Sequence, residues 1–232
     1  MPEDEEIPHT LSSFEDGLKR LKESVLVMAS IAGLNLRNAI EGLVDRDEDR
    51  CNRAISDDAE VNSYDRKIDE DGLEILFRFN PVATDLRNVA SAMKISTNLE
   101  RISDEAEHIA RRAKKLLKRP QISEIRLIEP VAERALGLLE EAVRSFAEGN
   151  VDLALSLHDR DRELDEQQGK TVKILTGRME DDVENLRSYL HLIFICRCLE
   201  RIGDHAVNIG EDVVYIHRGA DIRHIGPAAL KE

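Results

Sequence analysis

Two short segments carry the residues best placed for chemistry: Leu99-Glu-Arg-Ile-Ser-Asp104 and Leu199-Glu-Arg-Ile-Gly-Asp204. Residues four apart share one face of a helix, so Glu100 neighbours Asp104 and Glu200 neighbours Asp204. Paired carboxylates at this spacing repel by a few tenths of a kcal/mol when exposed, and by more when desolvated. They flank an apolar stripe, Leu99, Ile102, Ala106 and Ile109, which places them at the edge of a packed face. Upstream lie Asp58-Ala-Glu-Val-Asn62 and Asp161-Arg-Glu-Leu-Asp165, followed by Asp85-Leu-Arg87 and Asn185-Leu-Arg187. The copies trade Asp for Asn between these places, so each set of five positions keeps four acids and one amide. Such a set suits hard cations, Mg²⁺, Mn²⁺, Ca²⁺ or iron, and does not suit a structural zinc site. The plainer alternative is an ion-pair network in which Arg87, Arg101, Arg187 and Arg201 neutralise the acids.

The elements that must position these residues are helices. Aromatic residues make up 3% of the chain and charged residues 34%, a balance that fits long amphipathic helices and leaves too few strand formers for a sheet. Caps and breakers divide the chain into six helices, about Ser12 to Arg46, Asp47 to before Asn80-Pro81, Thr84 to Lys118, Ser123 to Glu148, Val151 to Arg178 and Asp182 to His217. Ser12-Ser13-Phe14-Glu15 reads as a capping box for the first. Pro130 marks a separate or kinked first turn in the fourth.

The chain also repeats itself. With a shift of 100, LERISDEAEHI (99–109) matches LERIGDHAVNI (199–209) at seven of eleven positions. Upstream the shift is 103, aligning Asp58 with Asp161, so helices one to three correspond to helices four to six. The expected fold is all-α: two tandem three-helix bundles related by internal duplication, over 11–119 and 120–218, with tails at 1–10 and 219–232.

Net charge and cysteines narrow the function classes. A formal net charge of −14 argues against nucleic acid, whose affinity rests on Lys and Arg neutralising phosphates. Cys51, Cys196 and Cys198 follow no framework spacing, which fits a reducing, cytoplasmic setting, and Cys196-x-Cys198 reads as core. The acidic N-terminus lacks the plan of a signal peptide, and the apolar runs Val25–Leu34 and Leu190–Leu199 are about half the length of a membrane span. Neither a nucleophile–base pair nor a Gly-rich phosphate cradle is visible, so direct phosphate binding is not expected. His158 and His191 read as packed or surface residues, although His158 lies three residues before Asp161.

The two motifs in register resemble the signature of the PhoU family of phosphate-uptake regulators. The resemblance spans about residues 11 to 225 and includes Pro81-x-x-x-Asp85-Leu-Arg87, Ala54-Ile55-x-x-Asp58 and Ile222-Arg223-His224. It implies paired three-helix bundles and metal-binding Glu/Asp-x-x-x-Asp motifs. By position the implied ligands are Glu100, Asp104, Asp58 and Asp85 in the first half and Glu200, Asp204, Asp161 and Asp165 in the second. Iron is the first expectation, with manganese, magnesium or zinc as alternatives. Two departures, Asn62 for Asp165 and His108 for Asn208, make the second set the firmer one. The resemblance further implies a cytoplasmic, non-enzymatic regulator, dimeric and without membrane insertion. It would meet the ATPase subunit of the phosphate-specific ABC transporter and the phosphate sensor histidine kinase, holding the starvation response off when phosphate is plentiful. The rival readings are a ferritin-like di-iron carboxylate oxidase, for which only Glu105-Ala-Glu-His108 has the Glu-x-x-His spacing, and a metal-free helical adaptor.

Overall fold

The computed structural model describes residues 6–223, so residues 1–5 of the expected tail at 1–10, His224 and the Gly226-Pro227 stretch lie outside the described residues. Within them the chain forms α1 (Glu6–Val44), α2 (Glu48–Ser56), α3 (Asp58–Phe79), α4 (Ala83–Leu117), α5 (Glu129–Glu148), α6 (Val151–Asp181) and α7 (Leu186–Arg218), with 3₁₀ turns at Ser123–Ile128 and Val183–Asn185. The all-helical expectation holds, and among the described residues there is no strand. None of the described helices is long and apolar enough to cross a membrane.

Two boundaries differ from the sequence reading. The first helix begins at Glu6, so Ser12 and Ser13 lie inside it and not at its start; the apolar stripe beyond them outweighs the local capping pattern. The second helix is broken at Asp57 into α2 and α3. At the break the Ser56 hydroxyl lies within donating reach of the Arg53 carbonyl (3.0 Å) and of Asp57 Oδ1 (2.9 Å), the local competition by which short polar side chains interrupt a helix. Pro130 behaves as read: a 3₁₀ turn precedes it and it occupies the first turn of α5.

The first half packs α1 against α2, α3 and α4, and the second packs α5 against α6 and α7. The stripes that carry the acidic motifs are their centres: Leu99, Ile102, Ala106 and Ile109 are fully buried, as are Leu199, Ile202, Ala206 and Ile209. Gly203 and Gly210 bring α6 close to α7, since a Cβ at either would meet a Leu164 or Leu157 methyl at 2.5 Å. The halves meet where α4 lies antiparallel to α7, shown by Arg87 Nε donating to the Ile216 carbonyl (3.2 Å) at one end and Arg112 lying on Phe194 at the other. This makes an approximate two-fold axis: Glu105 faces Arg201 and, after the shift of 100, Arg101 lies by His205.

Candidate metal centre

In the first half α3 and α4 bring Asp58, Glu100 and Asp104 together. Asp58 opens α3 and is held on both oxygens: Ser103 Oγ donates to Oδ1 (2.8 Å) and Asn62 Nδ2 to Oδ2 (2.8 Å). Buried Asn35 of α1 donates to Ser103 Oγ in turn (3.3 Å). Arg101 bridges its own neighbours, with Nε 3.3 Å from Glu100 Oε2 and Nη1 donating to Asp104 Oδ2 (3.1 Å). Burial raises the Glu100 pKa, and the charge of Asp104 adds to it, with smaller contributions from Asp65 and Asp58, while Arg101 opposes them.

Asp65 is the residue the sequence reading missed. It lies two turns along α3 from Asp58, and Ser96 of α4 donates a hydrogen bond to it. Asp85, in contrast, is not part of the set. It sits in the first turn of α4, fifteen residues from Glu100, about 22 Å away at 1.5 Å per residue. The Asp-for-amide trade seen in the sequence is therefore completed by Asp65 against Gln168, and not by Asp85 against Asn185. The signal was present in the seven-residue spacing from Asp58, which keeps a side chain on one face.

The second half joins Asp161, Asp165, Glu200 and Asp204 across α6 and α7, and its compensation is thinner. Gln168 Nε2 donates to Glu200 Oε2 at 3.2 Å. Position 203 is glycine where the first half has Ser103, and Asp161 Oδ1 lies in the space its Cβ would fill, 2.6 Å away. That oxygen is buried and accepts no hydrogen bond. Arg201 does not serve its neighbours as Arg101 does; its Nη1 donates across the two-fold axis to Glu105 Oε1 (3.0 Å). Burial, with the charges of Asp165, Asp204 and Glu200, raises the Asp161 pKa to about 7. Burial also raises Glu200 and Asp204, and Asp165 raises each further.

The donor set, all oxygen, is of the kind that suits a hard cation, and Asp161 Oδ1 is its buried oxygen without a hydrogen bond in the second half. Among the described residues, however, no three His, Cys, Asp or Glu side chains are arranged to hold one ion, so any ligation would require side-chain rotation. His158 is directed elsewhere, with Nε2 3.4 Å from Glu211 Oε1. His108 stays beside Glu105 (3.5 Å) on the seam between the halves, away from Glu100. The three cysteines are buried and free, and burial pushes Cys196 up to about 12, so none offers a ready thiolate. The core reading of Cys196-x-Cys198 stands.

The family model described as "PhoU domain" matches residues 25–113 and 128–213, one span in each half. The chain is 35% identical over 228 residues to the phosphate-specific transport system accessory protein PhoU homolog of Pseudomonas aeruginosa, covering 97% of this chain and 93% of the relative. It is 30% identical over 218 residues to the protein of that name, PhoU, from Escherichia coli, covering 94% and 90%. Among solved structures, PhoU from Pseudomonas aeruginosa superposes with a TM-score of 0.87 at 33% identity, covering 89% of this chain and all of that one. The phosphate transport system regulatory protein PhoU from Streptococcus pneumoniae shares the fold, with a TM-score of 0.83 at 24% identity, covering 90% of this chain and 98% of that one. With both halves matched and the relatives covered almost end to end, the chain belongs to the PhoU family.

Proposed function

We propose that the chain is a regulator of phosphate uptake that works by contact and not by catalysis. The observation that carries this reading is the match of the family model to both halves, together with relatives named as phosphate-specific transport system accessory proteins. The family is one of accessory proteins, not of enzymes. In this reading the chain acts in the cytoplasm as a dimer. Its long helical faces dock on the ATPase subunit of the phosphate-specific ABC transporter and on the phosphate sensor histidine kinase. Contact with the kinase keeps the starvation response silent at high phosphate. Deleting the gene is expected to raise alkaline phosphatase in phosphate-rich medium; repression that persists in the deletion strain overturns the regulatory reading.

Metal belongs to the same proposal. Asp161, Asp165, Glu200 and Asp204 would hold the ion, iron first, with manganese, magnesium or zinc as alternatives. The ion would supply the positive charge that this set lacks and tie α6 to α7. The support is the buried, unpartnered Asp161 oxygen beside Gly203. Chelation, reloading and plasma emission on the wild type and on Glu200→Ala/Asp204→Ala test this, and unchanged stoichiometry in the variant overturns it. The metal-free adaptor is the second reading, favoured by the lack of three converging ligands among the described residues. The di-iron oxidase loses its support, because Glu105 is committed to Arg201 and stands apart from the acidic sets.

A further inference from the structure

The α4–α7 seam also has two equivalent ends, and they differ in charge. At one end Lys94 Nζ lies 3.7 Å from Asp212 Oδ1. Beside it Asn208 Nδ2 donates to Asn98 Oδ1 (3.3 Å), with His205 Nδ1 3.0 Å from the same oxygen. At that end Lys94 is paired with Asp212, and the amides and the imidazole satisfy one another. At the other end the shift of 100 puts Arg112 where the first has Asp212, Arg197 where it has Thr97, and His108 where it has Asn208. Here the helices leave a cavity of about 380 Å³.

Three guanidiniums line it, in a chain whose formal net charge is −14. Arg201 is held by Glu105, the cavity's one carboxylate, whose side chain is 8% exposed. Arg112 lies 4.1 Å from the centroid of the Phe194 ring and meets no carboxylate among the described residues. Arg197 makes neither a hydrogen bond nor an ion pair there; it only lends its field to Glu200. In the cavity lining three guanidiniums stand against one carboxylate, with Glu200 flanking Arg197 outside it. The field extends down the seam: burial lowers the His191 pKa, and Arg112, Lys115 and Arg119 lower it further.

We propose that this cavity binds a small anionic ligand through a phosphoryl group. Guanidinium forks match phosphate oxygens in pairs, and a lining with an excess of guanidiniums suits a phosphate anion. The volume lies within the roughly 300–1,000 Å³ typical of small-molecule sites, so there is room for more than the phosphoryl head. Phe194, 45% exposed, offers a ring for the remainder. The lack of a Gly-rich cradle in the sequence removes only the backbone route to an oxyanion. The arginine route is assembled from two helices far apart in the chain, and no local motif announces it.

The test is calorimetric titration of the full chain, in chelator so that no anion binds through a metal, with inorganic phosphate and with ATP as probes. Saturable binding of phosphate supports the site with the free ion as ligand, and binding of ATP alone supports it with a phosphate ester. Arg112→Gln/Arg197→Gln is expected to weaken binding roughly tenfold or more, since each lost charge-assisted contact is worth about that much. Lys173→Gln, on the exposed face of α6, is expected to leave it unchanged. Should the double variant melt early, Arg197→Gln alone replaces it, because that side chain makes no hydrogen bond or ion pair among the described residues. Neither probe binding, or binding that survives Arg197→Gln at full strength, overturns the proposal.

Discussion

The two acidic sets share a motif but handle its charge in opposite ways. In the first half most of the carboxylates find a protein donor: Ser103 and Asn62 serve Asp58, Ser96 serves Asp65 and Arg101 donates to Asp104, while Glu100 Oε2, buried and without a hydrogen bond, has the Arg101 guanidinium 3.3 Å away. In the second half the corresponding positions are Gly203, Asp165, Cys196 and an Arg201 turned toward Glu105. Two hydroxyls, an amide and a guanidinium are gone, and Asp161 keeps a buried oxygen with no donor. Duplication has separated the two ways of managing clustered carboxylates. One copy meets most of them with protein donors, and the other would leave them to a cation under the proposed function.

Metal loading is where that contrast predicts its largest effect. After chelation and reloading, Glu200→Ala/Asp204→Ala should weaken metal binding by on the order of a hundredfold, while Glu100→Ala/Asp104→Ala leaves most of it. Equal losses from both variants, read by calorimetry, would erase the distinction. The next effect is on folding. Ser103→Ala removes a donor to the Asp58 carboxylate and strips fully buried Asn35 of its partner. We expect a cost of about 2 kcal/mol in urea unfolding. Its opposite number, glycine, has no such bond to lose. A silent Ser103→Ala would mean that Asp58 needs no internal neutralisation.

A smaller effect comes from Asp161 and depends on pH. Its folded pKa, about 7, lies above the ordinary 3.8. The folded state then holds the proton more tightly than the unfolded chain, so stability falls as pH rises from 3.8 to about 7 and the cost persists above that. In chelated protein Asp161→Asn should remove the cost. Because the carboxyl is partly screened by solvent, the gain is about 1 kcal/mol at pH 8 and close to nothing at pH 4. Melting curves at the two pH values give the answer; a variant no more stable than wild type at pH 8 contradicts the burial of an uncompensated charge.

Much of this was legible in the chain. The helices, their duplication and the Glu-x-x-x-Asp faces follow from a period of 3.6 and a repeat, which are local and additive signals. Asp85 was misassigned because alignment of a motif says nothing of distance along a straight helix. Asp65 was overlooked because no acid stands at its counterpart, Gln168. Nothing in the sequence told where Arg101 and Arg201 would turn. Both follow a Glu and precede an Asp by three, and the choice depends on which residue α4 and α7 place opposite.

That dependence gives the finest test of the comparison. Across the two-fold axis Arg201 meets Glu105, whereas Arg101 meets His205, which offers it no negative charge. Burial alone would raise Glu105, but hydrogen bonds from Cys198 and Arg201, with the charge of Arg201, outweigh it and hold the carboxyl below its usual pKa. Ionised Glu105 thus keeps Arg201 away from Glu200 and Asp204. Glu105→Gln should release Arg201 to adopt the pattern of Arg101, and one partly exposed ion pair of about 0.5–1 kcal/mol should weaken metal binding at the second set about two- to fivefold. His205→Glu should do the reverse at the first set, drawing Arg101 away from Glu100 and Asp104 and strengthening cation binding there by a similar factor. A purely structural role for Glu105 predicts lower stability in both variants and no change in affinity at either set. Opposite changes in affinity at the two sets, with the fold intact by circular dichroism, would assign the guanidinium's share of the inequality to the exchange of Glu for His on the axis.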